Sequence, residues 1–175
     1  METSKTNVIE GVNLMFSLIP KTKRKPPLRI FPEFMSKILS TCFFAYFATI
    51  EPKCNPHITT MFYLWNAEEK TIYLITSKDT RKIRNITRNS SVSVTVDERD
   101  PESPARNLGV LIRGRADLHS IEEVGDVLLN KYLEKNLRFL GTGFPMGSRI
   151  VIEVTPRIIH YWKGIKFASW KNPNY

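Results

Sequence analysis

Glycine and cysteine are both scarce in this chain of 175 residues, which holds 8 of the first and 2 of the second. With few glycines, turns must be built from Asn, Asp, Pro and Lys, a constraint on a chain whose pattern is mainly β. Two cysteines, Cys42 and Cys54, exclude a disulfide framework and offer no paired spacing for a metal. Cys42 falls in an apolar strand, where a thiol packs as a small core residue, and Cys54 in a turn. A reducing, cytoplasmic setting is expected. Long apolar runs are missing as well. The longest, CFFAYFATI from Cys42 to Ile50, is far shorter than the roughly 20 residues a membrane helix needs. Glu2 and Glu10 precede the N-terminal apolar patch and a basic run follows it, the reverse of a secretory leader, so no targeting segment is expected. His57, His119 and His160 are too scattered for a metal motif. The sequence also lacks a Walker loop, the Gly-rich dinucleotide fingerprint and any Ser-His-Asp or Cys-His arrangement.

What is present describes a globular domain. Hydrophobic residues make up 42% of the chain, charged residues 25% and aromatics 11%, enough to bury a proper core. The formal charge of +9 favours anionic partners. Residues 1–28 read as an extension ending in the basic, proline-closed linker KTKRKPP, and 29–175 as one domain.

The element order follows from periodicity and turn residues. Phe31 to Thr41 reads as a helix, with Pro32 near its start and Phe34, Ile38 and Leu39 at helical spacing. Strands follow at Cys42–Ile50, His57–Trp65 and Thr71–Thr76, joined by the turns EPKCNP and NAEEK into an antiparallel meander. Lys78 to Arg88 reads as a helix, and SVSVTVDE alternates as a strand with one polar face. In the strand LGVLIRGRADL, Gly114 marks a bulge or a close approach. Ser120 and Glu123 form a capping box for a long helix, with Ile121, Val124, Val127, Leu128 and Tyr132 on one face. After the loop GTGFPMG come two strand segments, SRIVIEVTP and IIHYWKGIKFASW. Strands in succession with few crossover helices predict a mainly β (α+β) antiparallel barrel with flanking helices.

One junction carries a chemical signal. In LITSKDTRKIRNITRNSSVSV, five positive charges and one negative fall between Lys78 and Arg88, where a strand gives way to a helix. A helix N-terminus presents unpaired N–H groups and partial positive charge, so Arg81 and Lys82 in the first turn oppose the dipole. That choice is unfavourable for stability and favourable for holding an anion, best a phosphate. Thr76, Ser77 and Thr80 add hydroxyl donors; Arg81 can fork across two oxygens while Lys82 acts as a point charge. A solvated cationic helix face explains the same residues equally well on pattern alone.

From about Phe31 to Asp117 the chain resembles the pyridoxamine 5'-phosphate oxidase-like family of flavin-binding split barrels. The resemblance rests on FFAYFATIEPKCNPHITTMFYLW, IYLITSKDTRKIRNITRNSSVSV and GVLIRGRADL in this order, with IEVTPRIIHYWKG similar to the family's last barrel strands. It implies a six-stranded antiparallel split β-barrel that forms a homodimer and binds FMN at the two subunit-interface clefts. Carried over, Thr76, Thr80, Arg81 and Lys82 would hold the flavin phosphate. The strand from His57 through Thr59 and Thr60 to Met61 would lie along the isoalloxazine ring, and Trp162 would approach from the partner. Arg84 and Asn85 match a pair that lies near the cofactor tail in deazaflavin-using relatives.

The chain departs from the family's pattern at two places. The Arg-x-His signature of a true pyridoxamine phosphate oxidase is replaced by KGIKFASWKNPNY, so that activity is not expected. The glycine of the first hairpin is replaced by Lys53, Cys54 and Asn55, of which Asn tolerates the left-handed conformation. The expected function is an FMN-binding oxidoreductase with a small-molecule electron donor or acceptor, or its deazaflavin-dependent variant. A flavin- or haem-holding protein without turnover is a third form. From another class comes a single-stranded nucleic-acid-binding β-barrel. Its mark, aromatics interleaved with cations along one strand, is not seen, so nucleic acid is not the expected partner.

Overall fold

A computed structural model describes residues 26–141 and 148–175. The expectations for residues 1–25 and for most of the GTGFPMG loop therefore lie outside the described residues. Among these residues, three α-helices and eight strands follow in the order α1 (Glu33–Thr41), β1 (Phe44–Ile50), β2 (Pro56–Phe62), β3 (Leu64–Asn66), β4 (Thr71–Ser77), α2 (Arg81–Arg88), β5 (Ser91–Glu98), β6 (Leu108–Ser120), α3 (Ile121–Leu140), β7 (Arg149–Lys163) and β8 (Lys166–Lys171).

All named strands pair antiparallel, in the order β2-β1-β5-β6-β7-β4-β3, with β8 on the free side of β7. The two ends of this sheet, β2 and β3, are consecutive pieces of chain separated by Tyr63 alone. The sheet therefore curls until the halves of one interrupted strand form its two edges. The expected strand His57–Trp65 is broken here because the fully buried Tyr63 turns inward to donate from its hydroxyl to the Leu39 carbonyl at 2.8 Å. Counting β2 and β3 as one strand and setting β8 aside recovers the six barrel strands that the sequence implies.

The period-2 pattern accounts for the core. Val92, Val94 and Val96 of β5 meet Val110 and Ile112 of β6, Ala45 and Phe47 of β1, and Met35 and Leu39 of α1. Burying a side chain such as Phe47 stabilises the fold by about 1.5–3 kcal/mol. The unbroken apolar run of β4 has a simple cause: Ile72 and Leu74 face the barrel core while Tyr73 and Ile75 face Leu129 and Tyr132 of α3. The equally apolar run of β1 suggests burial throughout, but the strand alternates, leaving Phe44 45% and Tyr46 50% exposed on the outer sheet face.

Three further expectations change. In the first hairpin the left-handed residues are Lys53 (φ 72) and Cys54 (φ 63), and Asn55 is extended at φ −72. The capping box of α3 forms as expected, but Gly125 (φ 73, ψ 162) interrupts the helix. The break shifts the helical phase, so Val127 is 71% exposed and the buried face is carried by Leu129, Tyr132 and Asn136. Finally, β7 runs through Pro156 as one strand, because the proline sits at a bulge. Gly114 pairs with Pro156 and Arg113 with Ile158, leaving Arg157 as the extra residue. Gly114 is required there, since a Cβ would collide with the Thr155 carbonyl.

Candidate functional site

β4 and α2 bring the predicted anion-binding residues together. Thr76 is buried at the core side of the end of β4, and the following Ser77 is exposed. The helix begins at Arg81 rather than at Lys78, with Thr80 as its extended N-cap residue and no acidic residue in the first turn. The Thr80 hydroxyl makes no capping bond, and its Oγ1 is buried without a partner. Lys82 Nζ donates to Thr76 Oγ1 at 3.3 Å. Burial without a carboxylate partner holds the Lys82 ammonium below the ordinary lysine pKa. A partly desolvated cation beside an unpaired hydroxyl at a helix N-terminus is a favourable setting for an anion.

Two contacts dock α2 on β1. Arg81 Nη1 donates to Glu51 Oε1 at 3.1 Å, an exposed ion pair. Asn85 Nδ2 donates to Thr49 Oγ1 at 3.0 Å, both residues being buried. Asn85 is thus a fastener of the helix, at a position where the resemblance implied a cofactor contact. Arg84 Nη1 donates to the Asp79 carbonyl at 2.8 Å, bracing the loop before the helix. On this side of α2, Arg81, Arg84 and Arg88 line a cavity of about 310 Å³ with Glu51, Pro52 and Asn85, while Thr76 and Lys82 do not line it. The junction therefore has two cationic sides. Sequence reasoning missed Thr49, Glu51 and Arg88 as members of this neighbourhood. Glu51 stands 30 residues from Arg81, and no local pattern signals a pair so far apart.

The ring-binding strand expected from the sequence is β2, an edge that pairs with β1 on one side only. Its other backbone edge is open to a ligand. His57 is in register with Thr49, which ties the start of β2 to Asn85 and α2. His57 Nδ1 and Thr59 Oγ1 are buried without hydrogen-bond partners. Buried polar atoms normally find partners. Two on one edge strand and a third at Thr80 leave polar bonding capacity that a ligand could use. Met61 packs against the core, leaving its backbone as its contribution to the edge, and Thr60 is exposed on the outer face.

Trp162 lies elsewhere in the chain. It pairs with Gly109 and Phe167 near the end of β7, and a Cβ on Gly109 would strike its ring. Thr76 pairs with Ile150 at the start of β7. The strand between them spans roughly 40 Å at about 3.3 Å per residue, so one chain does not bring Trp162 to Lys82. Phe44, Tyr46 and Phe167 leave apolar surface on the same outer sheet face as Trp162. His160 is tied down by its Nδ1, 2.9 Å from Ser169 Oγ, in keeping with a structural role. No helix among the described residues is long and apolar enough to cross a membrane.

Comparison with known proteins places this geometry. The sequence model of the pyridoxamine 5'-phosphate oxidase family matches residues 31–163. Among solved structures, the chain is similar to a putative pyridoxamine 5'-phosphate oxidase from Listeria innocua at 20% identity, a TM-score of 0.60, and coverage of 75% of this chain and 97% of that one. It is similar to an F420 reductase at 28% identity and TM-score 0.56, covering 76% and 99% of the two chains. A FAD-binding protein from Mesorhizobium loti aligns at 16% identity and TM-score 0.59, over 75% and 94%. No curated protein matches the chain.

Proposed function

Because the chain belongs to the pyridoxamine 5'-phosphate oxidase family, we propose that it is an oxidoreductase holding a flavin-type cofactor by its phosphate at the β4–α2 junction. The observation that carries this reading is the Lys82–Thr76 pair beside the unpartnered Thr80 hydroxyl, at a helix start without an acid. FMN is the cofactor put forward. A deazaflavin is the variant, supported by the likeness to an F420 reductase and by Arg84 and Arg88 beyond Arg81. When bound, the group supplies the hydride or electron chemistry that the side chains lack.

The chain's own residues bind and orient. Lys82 supplies the desolvated charge, Arg81 a fork that can leave Glu51 or share it, and Ser77 and Thr80 hydroxyl donors. The open edge of β2, with His57 and Thr59, fits the polar rim of a ring system. A homodimer completes the site in this reading. A second copy packed on the outer face would cover Phe44 and Tyr46 and could bring its own Trp162 to the cleft that one chain leaves open. The other reactant would be a small-molecule electron donor or acceptor. Nothing in the reading requires the missing Arg-x-His signature, so activity on pyridoxamine 5'-phosphate is not proposed.

The reading is tested by titrating the protein with FMN and with riboflavin, which lacks the phosphate, following flavin fluorescence. FMN should bind at least tenfold more tightly, one charge-assisted contact being worth about 1.5–3 kcal/mol. FMN affinity should also fall as pH rises past the lowered Lys82 pKa. The sign follows from linkage: the protonated amine holds the phosphate, so binding raises that pKa and loses strength once the free amine deprotonates. Equal affinity for the two flavins would overturn the assignment.

A further inference from the structure

A second cationic site lies on the outer sheet face, where β1 ends. Here β1, β5, β6 and β7 enclose a cleft of about 340 Å³ that includes Ala48, Ile50, Ser91, Ser93, Arg113 and Arg157 in its lining, with Thr49 and Tyr175 beside them and no Asp or Glu side chain among the residues that line it. Neither arginine takes part in an ion pair among the described residues. Arg84 and Arg88 are likewise without a carboxylate, whereas Arg99 pairs with Asp97, Arg106 with Asp100, and Arg115 with Asp117 one alternate position along β6 from Arg113.

The two arginines share one face, and the β-bulge adds Ile158 to it. Along β7, Pro156 is buried, Arg157 exposed, Ile158 half-buried and Ile159 buried. Alternation with the buried Val154 and Pro156 places Arg157, like Thr155, on the outer side, which is also the side of Arg113 and Arg115. The extra residue lets Arg157 and Ile158 share the outer side, next to Arg113, which pairs with Ile158. The bulge is held from both sides. Gly114 gives up its Cβ to the Thr155 carbonyl. Asn172 donates from its side chain to the Pro156 carbonyl at 2.9 Å and from its backbone to the Arg157 carbonyl at 3.0 Å. Lys171, opposite Ile158 on β8, adds a third cation to the same neighbourhood.

We infer that this cleft binds a small ligand carrying two negative charges, with Arg113 and Arg157 as its paired forks, the Ser91 and Ser93 hydroxyls as further donors, and Ala48 and Ile50 against its apolar part. A phosphate monoester and a dicarboxylate share that chemistry. Neither of its arginines lines the cavity beside α2, and along β1 the cleft lies at Ala48 and Ile50, beyond Phe44 and Tyr46.

The test follows the arginine Nε resonances of the full-length protein by NMR, in separate titrations with succinate and with inorganic phosphate. Saturable shifts of Arg113 and Arg157 are expected with at least one probe. A succinate response points to a dicarboxylate, and a phosphate response to a phosphate-bearing ligand. Arg113→Gln with Arg157→Gln should weaken that binding by about tenfold or more, while Arg113→Lys with Arg157→Lys, which keeps charge but loses the fork, should retain part of it. Arg81→Ala with Lys82→Ala should leave the cleft's response in place. Absence of a saturable response to either probe, or affinity unchanged in the double glutamine variant, overturns the inference.

Discussion

Arg81→Ala with Lys82→Ala should lower FMN affinity by well over tenfold while leaving the fold intact. The size follows from counting contacts: each charge-assisted bond to a phosphate is worth about 1.5–3 kcal/mol, and about 1.4 kcal/mol is a factor of ten. The two residues should contribute unequally. Lys82 is partly buried, donates to the neutral Thr76 hydroxyl, and has its charged form disfavoured by burial, so a phosphate gives it the counter-charge it lacks. Arg81 already has Glu51 at 3.1 Å and a side chain 62% exposed, so it gains less. Lys82→Ala alone should therefore weaken binding more than Arg81→Ala alone. Stability should move little or rise, because cations in the first turn oppose the helix dipole by about 0.3–1 kcal/mol each. A double variant that melts like the parent and binds FMN equally well would remove the phosphate from this junction.

Gly114→Ala is expected to destabilise the fold severely for the addition of a single methyl group. The added Cβ would meet backbone, the Thr155 carbonyl, in the middle of the β6–β7 pair. A flexible side chain could swing aside; a carbonyl held in a central ladder cannot. Overpacking of this kind costs about 3 kcal/mol, or a fall in Tm of roughly 6–12 °C for a domain of this size. Gly125→Ala is the contrasting case. Nothing lies within 4 Å of its Cβ position, and its cost comes from the glycine-only backbone conformation (φ 73, ψ 162) alone, about 1–3 kcal/mol. Calorimetry on the two variants separates collision from conformation. Equal, small losses would mean that the bulge relaxes to admit the added methyl.

Where a single strand or helix start carries its own signal, the sequence is readable. SVSVTVDE forms β5 without a residue of difference, since alternation is a local property. The Ser120–Glu123 capping box likewise forms as expected. The departures arise where tertiary structure overrides local rules. Counting 3.6 residues per turn through Gly125 places Val127 on the buried face, but the positive φ of that glycine resets the phase. Pro156 looks like a strand end because proline donates nothing to a ladder, yet the bulge opposite Gly114 supplies a position where no donor is needed. At the site, the cations are visible because they cluster in one run. Thr49 and Glu51, which hold α2 against β1 through Asn85 and Arg81, are hidden by sequence distance. The orphaned hydroxyls of Thr59 and Thr80 have no signature in sequence at all, since the absence of a partner exists only in three dimensions.

The central claim, that this barrel holds a flavin-type cofactor, is tested most directly by the visible absorbance spectrum of the purified protein together with the mass of whatever heat releases from it, repeated after adding FMN. The expected result is a flavin or deazaflavin band with the matching mass, or one that appears on addition of FMN and remains through gel filtration. A protein that stays colourless after both would contradict the claim and leave the cations of the β4–α2 junction to another anion.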